Sequence, residues 1–173
     1  MARQVWRVVD GATGLEVGRH SRNPNWASVG GAYGVPGGAV DPADSGVEVE
    51  AICAGRTDAD ASGQLGIPSG GLAFWVAAVR ECFEEAGVLL AIDGDGSVVS
   101  LADETVACRF AQWRHVVNNG ARSLIDVCAA GSLRPMAGDI YSFPHWSPPQ
   151  GALRRAAARC FVPARPPRPP PGR

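Results

Sequence analysis

The sequence contains no lysine, no long apolar run and no CxxC pair, and each absence narrows the possible classes of protein. Without a run of about 20 apolar residues, no segment can span a bilayer, so we expect no membrane partner. The first residues, MARQVWRVVD, lack the apolar stretch of a secretory signal, which predicts a cytoplasmic location. What remains, with 46% hydrophobic and 19% charged residues over 173 positions, is typical of one folded domain.

Residue types that often carry chemistry are also sparsely or irregularly placed. The five cysteines are odd in number and lack metal-ligand spacing, which favours reduced, buried thiols over a disulfide framework or a zinc site. His20 and His115 have no partner at zinc-ligand spacing. No serine lies in the GxSxG sequence of a serine hydrolase, so that class has no support.

Opposite charges are separated along the chain. All 17 acidic residues lie within residues 1–153, whereas the last 20 residues hold six arginines and no acid. This end is also proline-rich, ARPPRPPPGR, which predicts an extended, disordered tail over residues 163–173. A basic tail can bind nucleic acid. We favour the alternative, a solvated end without a partner, and therefore expect no nucleic-acid partner.

Segment 71–87, GLAFWVAAVRECFEEAG, carries the strongest secondary-structure signal. Its apolar residues recur at helical i, i+3, i+4 spacing, with Ser69 placed to cap the N-terminus and Gly87 to end the helix. The patterns elsewhere predict strands at 5–9, 15–17, 140–143 and 159–162, one or two short helices within 45–69, and helix over 104–130 interrupted at 118–120. Elements mixed in this order indicate an α/β or α+β layered domain.

Three acidic side chains gather on one face of this helix. At about 100° per residue, Glu81, Glu84 and Glu85 lie within an arc of roughly 100° opposite the apolar stripe. Arg80 can pair with Glu84 at i, i+4, which leaves excess negative charge near a helix C-terminus, where the macrodipole disfavours it. A divalent cation, Mg²⁺ or Mn²⁺, would relieve this repulsion. The alternative is an ordinary solvated charged face.

The string Arg80–Val88, RECFEEAGV, resembles the second half of the Nudix box, G-x5-E-x7-R-E-U-x-E-E-x-G-U, in which U is a bulky apolar residue. Pro36-Gly37-Gly38 resembles the start of the first half of the box, and Asp44 stands where the pattern has Glu. From Gly38 to Arg80 there are 42 residues rather than 14, so an insertion at about 45–70 interrupts the box. An interrupted box followed by FPHWSP is similar to the Nudix branch of peroxisomal-type coenzyme A diphosphatases and their bacterial relatives.

Membership in this branch implies an α/β fold, a Nudix-type α/β/α sandwich with a mixed sheet. It would cover residues 1–162 and would be incomplete at the C-terminus, because Pro-rich sequence begins early. The resemblance implies metal-dependent hydrolysis of a nucleoside diphosphate compound, with coenzyme A or acyl-CoA giving 3′,5′-ADP and 4′-phosphopantetheine. It implies Mg²⁺ or Mn²⁺ as cofactor and a small-molecule nucleoside diphosphate or CoA-type substrate as partner. A homodimer is compatible with it.

The resemblance also implies roles for individual residues. Glu81 and Glu85 would be metal ligands, Glu84 a third ligand or a water-activating base, and Arg80 their orienting ion-pair partner. The Gly37 carbonyl would add a metal ligand, and the backbone of Gly37 and Gly38 would approach the substrate without interference from a Cβ.

Three points stay open at this level. Arg22, just before the PGG loop, is a candidate for contacting substrate phosphate, although an arginine in a polar loop is usually only solvated. The same helix would also suit a sugar-nucleotide or dinucleotide pyrophosphatase. The third possibility is a degenerate, non-catalytic Nudix domain, and the short polar segment GLEVGRHS and the Pro-rich end are the features that support it.

Overall fold

The computed structural model describes residues 2–5, 7–11, 14–18, 20–21, 33–34, 36–101, 103–146 and 158–163. Its strands are β1 (Ala2–Val5), β2 (Arg7–Gly11), β3 (Gly14–Gly18), β4 (His20–Ser21), β5 (Tyr33–Gly34), β6 (Ala91–Ile92), β7 (Arg134–Pro135), β8 (Ile140–Trp146) and β9 (Ala158–Pro163). Its helices are α1 (Val47–Ile52), α2 (Asp58–Leu65), α3 (Leu72–Ala86), α4 (Glu104–Asn118) and α5 (Leu124–Ala130), with a 3-10 turn at Pro42–Asp44. Within these ranges, no helix has the length and apolar character needed to cross a membrane.

A three-stranded mixed sheet forms the largest β unit. Its order is β1-β9-β8, with β9 parallel to β1 and antiparallel to β8. The remaining described strands form two-stranded antiparallel pairs: β2 with β3, β4 with β5, and β6 with β7. The mixed sheet and the mixture of helices and strands confirm the α/β class expected from the sequence.

Helix α3 supplies most of the core on one side of this sheet. Of the apolar stripe predicted from its spacing, all residues are buried except the half-buried Ala86. The indole N–H of Trp75 donates to the Ile140 carbonyl at 2.9 Å, and its ring meets Phe161 edge-on with centroids 5.2 Å apart. Burying an aromatic side chain of this size contributes roughly 2–3 kcal/mol. These contacts join α3 to β8 and β9.

The start of α3 differs from the sequence prediction. Ser69 does not cap it; the helix begins at Leu72, and the exposed Ser69 lies two residues before the N-cap residue, Gly71. The cap comes from α2, because the Asp58 carboxylate accepts from the main-chain N–H groups of Gly70 and Leu72, both at 2.9 Å. The prediction was wrong because a side chain 14 residues away competes for these donors.

The end of α3 follows the prediction. Gly87 is the C-cap residue and has φ +69°, a left-handed conformation that favours glycine. Its N–H donates to the Phe83 carbonyl at 3.0 Å, and the Val88 N–H donates to the Cys82 carbonyl at 3.3 Å. A left-handed glycine whose N–H binds the carbonyl four residues earlier is the αL cap, which stops the helix after Ala86.

The segment predicted as an insertion folds into α1 and α2. Two main-chain bonds of 2.8 Å anchor the stretch between them, from the Ala54 N–H to the Pro135 carbonyl and from the Gly138 N–H to the Ala54 carbonyl. Gly55 and Gly138 lie so close that a Cβ at Gly138 would overlap the Gly55 backbone. The inserted segment is therefore fastened to the β7–β8 region.

Most other predicted elements are confirmed, with local differences. The helix over 104–130 is interrupted as expected, and the strand predicted at 5–9 is divided between β1 and β2, which belong to different sheets. β9 includes Pro163, the first residue of the predicted tail, and residues 164–173 lie outside the described residues.

All five cysteines lie within the described residues, and none of them is disulfide-bonded. Three are buried and Cys160 is half-buried, but Cys108 is exposed, because it lies on the solvent side of α4. Burial raises the pKa of the Cys53 and Cys128 thiols to about 12.

We expect Asp58→Ala to lower the free energy of unfolding by about 1–2 kcal/mol, the cost of losing a helix cap. The hydrogen bond from the Leu72 N–H holds the pKa of Asp58 below its usual range. Its stabilising contribution should therefore be complete above about pH 4 and be lost as the pH falls below that value. Urea unfolding at pH 7 and pH 3 measures both effects. Ser69→Ala is the matched control, and an equal loss in that variant would contradict the assignment of the cap.

Candidate active site

The Arg80 guanidinium joins α3 to the loop that precedes α1. Its Nε donates to Asp44 Oδ1 at 3.0 Å, and its Nη1 donates to Glu81 Oε1 at 2.9 Å and to Glu84 Oε2 at 3.1 Å. Its Nη2 donates to Asp44 Oδ2 at 3.1 Å and to the Ala39 carbonyl at 2.8 Å. A guanidinium has five N–H donors, and these contacts use all of them. The predicted i, i+4 pair with Glu84 is present, and it is one of several bonds that hold the site together.

This cluster carries more negative than positive charge and is largely removed from solvent. Asp44 is 1% exposed and Glu81 is 7% exposed. Gly38, in the loop before α1, packs against the Glu81 carboxylate, so Glu81 does not fit the alternative of an ordinary solvated charged face. Burial alone would lower the pKa of Arg80, but hydrogen bonding and charge from Asp44, together with Glu81 and Glu84, raise it overall. Arg80 is therefore a permanent cation among three carboxylates.

The two glycines of the PGG loop lie directly against the carboxylates. The Gly37 N–H donates to Glu85 Oε2 at 3.1 Å. Gly38 packs against Glu81, and a Cβ at Gly38 would overlap the Glu81 carboxylate. Only a residue without a side chain lets the loop come this close. The fold thus brings together the two halves of the interrupted box.

Glu84 differs from an ordinary surface glutamate in its acidity. Burial raises the pKa of its carboxyl to about 7, and the charges of Glu81 and Asp44 raise it further, while Arg80 opposes the shift. A carboxyl with this pKa exchanges its proton near neutral pH, which suits a group that accepts a proton from water.

The oxygen donors of the site match the preference of a hard divalent cation. Carboxylate and main-chain carbonyl oxygens are the ligands that Mg²⁺ and Mn²⁺ select, and Asp44 and Glu81 form a buried excess of negative charge. Across the described ranges, no three His, Cys, Asp or Glu side chains stand at metal-ligand spacing. Instead, Arg80 Nη1 holds Glu81 and Glu84 together. The residue types fit a cation, and Arg80 Nη1 contacts one oxygen of each of these two carboxylates.

A cavity of about 170 Å³ opens beside Glu84 and Arg80. It reaches from the 3-10 turn to the loop between α4 and α5, and Arg122 and Ser123 line its far side. A volume of this size holds part of a small molecule rather than a whole cofactor-sized one. The cavity leaves open space beside the Glu84 and Arg80 side chains.

The structure places most of the candidates from the sequence in this one site. Arg80, Glu81, Glu84 and Glu85 lie together with Gly37 and Gly38, whereas Arg22 lies outside the described residues.

Two residues of the site were given no role in the sequence analysis. Asp44 is the most buried acid of the site, and its place six residues after Gly38, where the box pattern has Glu, was the available signal. Arg114 binds carbonyls at the end of α3. No local sequence pattern points to it, because it lies on another helix, α4.

Comparison with a solved structure shows the fold. The chain is similar to the crystal structure of a NUDIX hydrolase from Alicyclobacillus acidocaldarius, with a TM-score of 0.68 at 23% identity over 94% of this chain and 68% of that one. The chain is also 30% identical over 119 residues to the acyl-coenzyme A diphosphatase NUDT19 of Gallus gallus. That match covers 60% of this chain and 32% of the relative, so it spans about a third of the relative's length.

The mixed sheet, the acidic helix and the PGG loop against it are the features of a Nudix domain. A family model described as the NUDT19 Nudix domain matches residues 47–162, more than half of the chain. The chain therefore belongs to the NUDT19 Nudix domain family. The matched region contains α3 and its REx2EExG sequence, and it begins after Asp44.

We expect Gly38→Ala to lower the free energy of unfolding by about 1–3 kcal/mol, the usual cost of overpacking. The new Cβ would force the buried Glu81 carboxylate or the loop out of place. Gly63→Ala, inside α2, is the control, because a Cβ there meets nothing within 4 Å and should stabilise the helix by about 0.5–1 kcal/mol. Chemical unfolding measures both variants, and an unchanged midpoint for Gly38→Ala would contradict the close packing.

Proposed function

We propose that this Nudix hydrolase cleaves the diphosphate linkage of coenzyme A or acyl-CoA, giving 3′,5′-ADP and 4′-phosphopantetheine or its acylated form. The supporting observation is the gathering of Asp44, Glu81 and Glu84 around Arg80, with Glu85 accepting from the Gly37 N–H of the PGG loop. The name of the Gallus gallus relative, an acyl-coenzyme A diphosphatase, supports the choice of substrate class.

The residues that would hold a divalent cation are Glu81, Glu85, Glu84 and the main-chain carbonyl of Gly37. When bound, Mg²⁺ or Mn²⁺ neutralises charge on the diphosphate and lowers the pKa of a coordinated water. The excess of carboxylate over guanidinium charge supports this assignment, because it is unfavourable in a partly buried site without a further cation.

The chain's own groups divide the remaining tasks. Arg80 orients Glu81 and Glu84 through its Nη1 and ties them to the loop through Asp44. The backbone of Gly37 and Gly38 would lie against the substrate, and Arg22 would contact its phosphate. Glu84 is either a third ligand or the base that accepts a proton from the attacking water, and its position beside the cavity is compatible with both roles.

A sugar-nucleotide or dinucleotide pyrophosphatase is the alternative function. The observation that favours it is that the acidic cluster would act on the diphosphate, a group that all these substrates share. A panel of coenzyme A, acetyl-CoA, ADP-ribose and diadenosine polyphosphates, each with Mg²⁺ and with Mn²⁺, separates the two. Preferred release of 3′,5′-ADP supports our proposal, and preferred cleavage of ADP-ribose supports the alternative. A thermal shift with cation and nucleotide but no hydrolysis would indicate a non-catalytic domain.

We expect Glu85→Gln to lower metal-dependent hydrolysis at least about 100-fold, more than is typical when a residue behind a ligand is lost. The amide oxygen of glutamine can still accept from the Gly37 N–H, so the fold should be retained. Product formation by chromatography and the melting temperature measure the two effects. Glu48→Gln, at an exposed position of α1, is the control. Wild-type turnover in Glu85→Gln would refute the role of Glu85.

Two further expectations remain proposals. The cytoplasmic location can be tested by fractionation of cells, and the homodimer by light scattering in solution. Neither is needed for the chemistry, because the described acidic residues, Arg80 and the PGG loop all come from one chain.

A further inference from the structure

A side chain from α4 holds the C-terminal turn of α3, and the proposed chemistry does not use it. Arg114 Nε donates to the main-chain oxygen of Glu84 at 2.8 Å, and its Nη2 donates to that of Glu85 at 2.9 Å. Both contacts are made by one planar group, so they fix the two successive carbonyls relative to each other. These are the residues whose side chains belong to the acidic cluster.

The backbone of α3 explains why these two carbonyls need a partner. The last four carbonyls of a helix have no partner within the helix. The Gly87 and Val88 N–H groups bind the Phe83 and Cys82 carbonyls, and Arg114 binds the next two along the chain. Gly87 also leaves space for the guanidinium, since a Cβ there would lie 3.2 Å from Arg114 Nη1.

Electrostatics favour a cation at this position. The C-terminal end of a helix carries partial negative charge, and the Glu81, Glu84 and Glu85 carboxylates add to it. Arg80 opposes this charge by binding carboxylate oxygens, which a metal ion would also need. Arg114 opposes it from the main chain, so it does not compete with an ion for the side-chain oxygens.

We propose that Arg114 is a positioning residue for divalent-cation binding. By bridging the Glu84 and Glu85 carbonyls, it fixes the backbone from which both carboxylates project and so increases their affinity for the ion. The inference rests on the proposed function only in the metal role of these two glutamates, and not on the identity of the substrate.

The test is a titration with Mn²⁺ alone, followed by electron paramagnetic resonance, on the full chain without any substrate. We expect Arg114→Gln to raise the dissociation constant about tenfold, as for other residues that orient metal ligands. Arg114→Lys should raise it by a similar factor, because a single ammonium cannot bridge two carbonyls in a fixed geometry. Amide hydrogen exchange at Val88 should also become severalfold faster in both variants.

Arg109→Gln is the matched control. Arg109 lies on the same helix and is exposed, and its guanidinium stands 5.0 Å from the Trp113 ring. This variant should keep the Mn²⁺ affinity of the wild type. A loss equal to that of Arg114→Gln would show a general effect of destabilising α4 and would overturn the proposal. If Arg114→Gln does not fold, Arg114→Lys carries the comparison.

Other outcomes also decide the question. Unchanged Mn²⁺ affinity in both Arg114 variants would overturn the proposal. Tighter binding in Arg114→Gln together with wild-type binding in Arg114→Lys would show that Arg114 acts only through its charge, which also overturns it. A wild-type chain that binds Mn²⁺ but does not cleave coenzyme A would refute the substrate proposal and leave this inference standing. A wild-type chain that binds no Mn²⁺ would overturn both.

Discussion

Arg80 uses all five of its N–H donors inside the site, on Asp44, Glu81, Glu84 and the Ala39 carbonyl. Asp44 is almost completely buried, and burying a carboxylate is favourable only when it is paired and hydrogen-bonded. This one guanidinium therefore determines where the loop before α1 meets α3. Because the loop carries the PGG backbone, the same contact determines how closely that backbone approaches the carboxylates.

The acidic turn of α3 would be unstable as an isolated helix, since like charges meet the negative end of the macrodipole. The fold opposes this charge from three directions. Arg80 binds side-chain oxygens, the Gly37 N–H binds Glu85, and Arg114 binds the Glu84 and Glu85 carbonyls. These contacts do not neutralise the charge completely. The remaining negative charge is the reason why we propose that a divalent cation binds there.

The insertion that separates the two halves of the box stabilises the helix that carries the site. Asp58 of the inserted segment caps α3, and main-chain bonds at Ala54 fasten the segment to the β7–β8 region. Asp44 and Arg80 stand 36 positions apart in the chain, yet their side chains are 3.0 Å apart. The unfavourable entropy of closing a loop rises only slowly with the length of the loop. An insertion of this length is therefore tolerated when its ends are well anchored.

Local sequence patterns were sufficient to predict α3 and its acidic face, because a helical period of 3.6 places residues on one face whatever surrounds them. They were also sufficient for the end at Gly87, because a left-handed cap favours glycine, and for the family resemblance, which rests on a contiguous string of residues. They did not determine the burial of Glu81 by the PGG loop, the cap by Asp58, whose partners lie 12 and 14 positions away, or the contact of Arg114, whose partners lie 29 and 30 positions away. Local propensity contains no information about which distant donor reaches an orphan backbone group. Packing of α2, α4 and the PGG loop around α3 decided those contacts, since only the folded chain brings these groups within hydrogen-bonding distance.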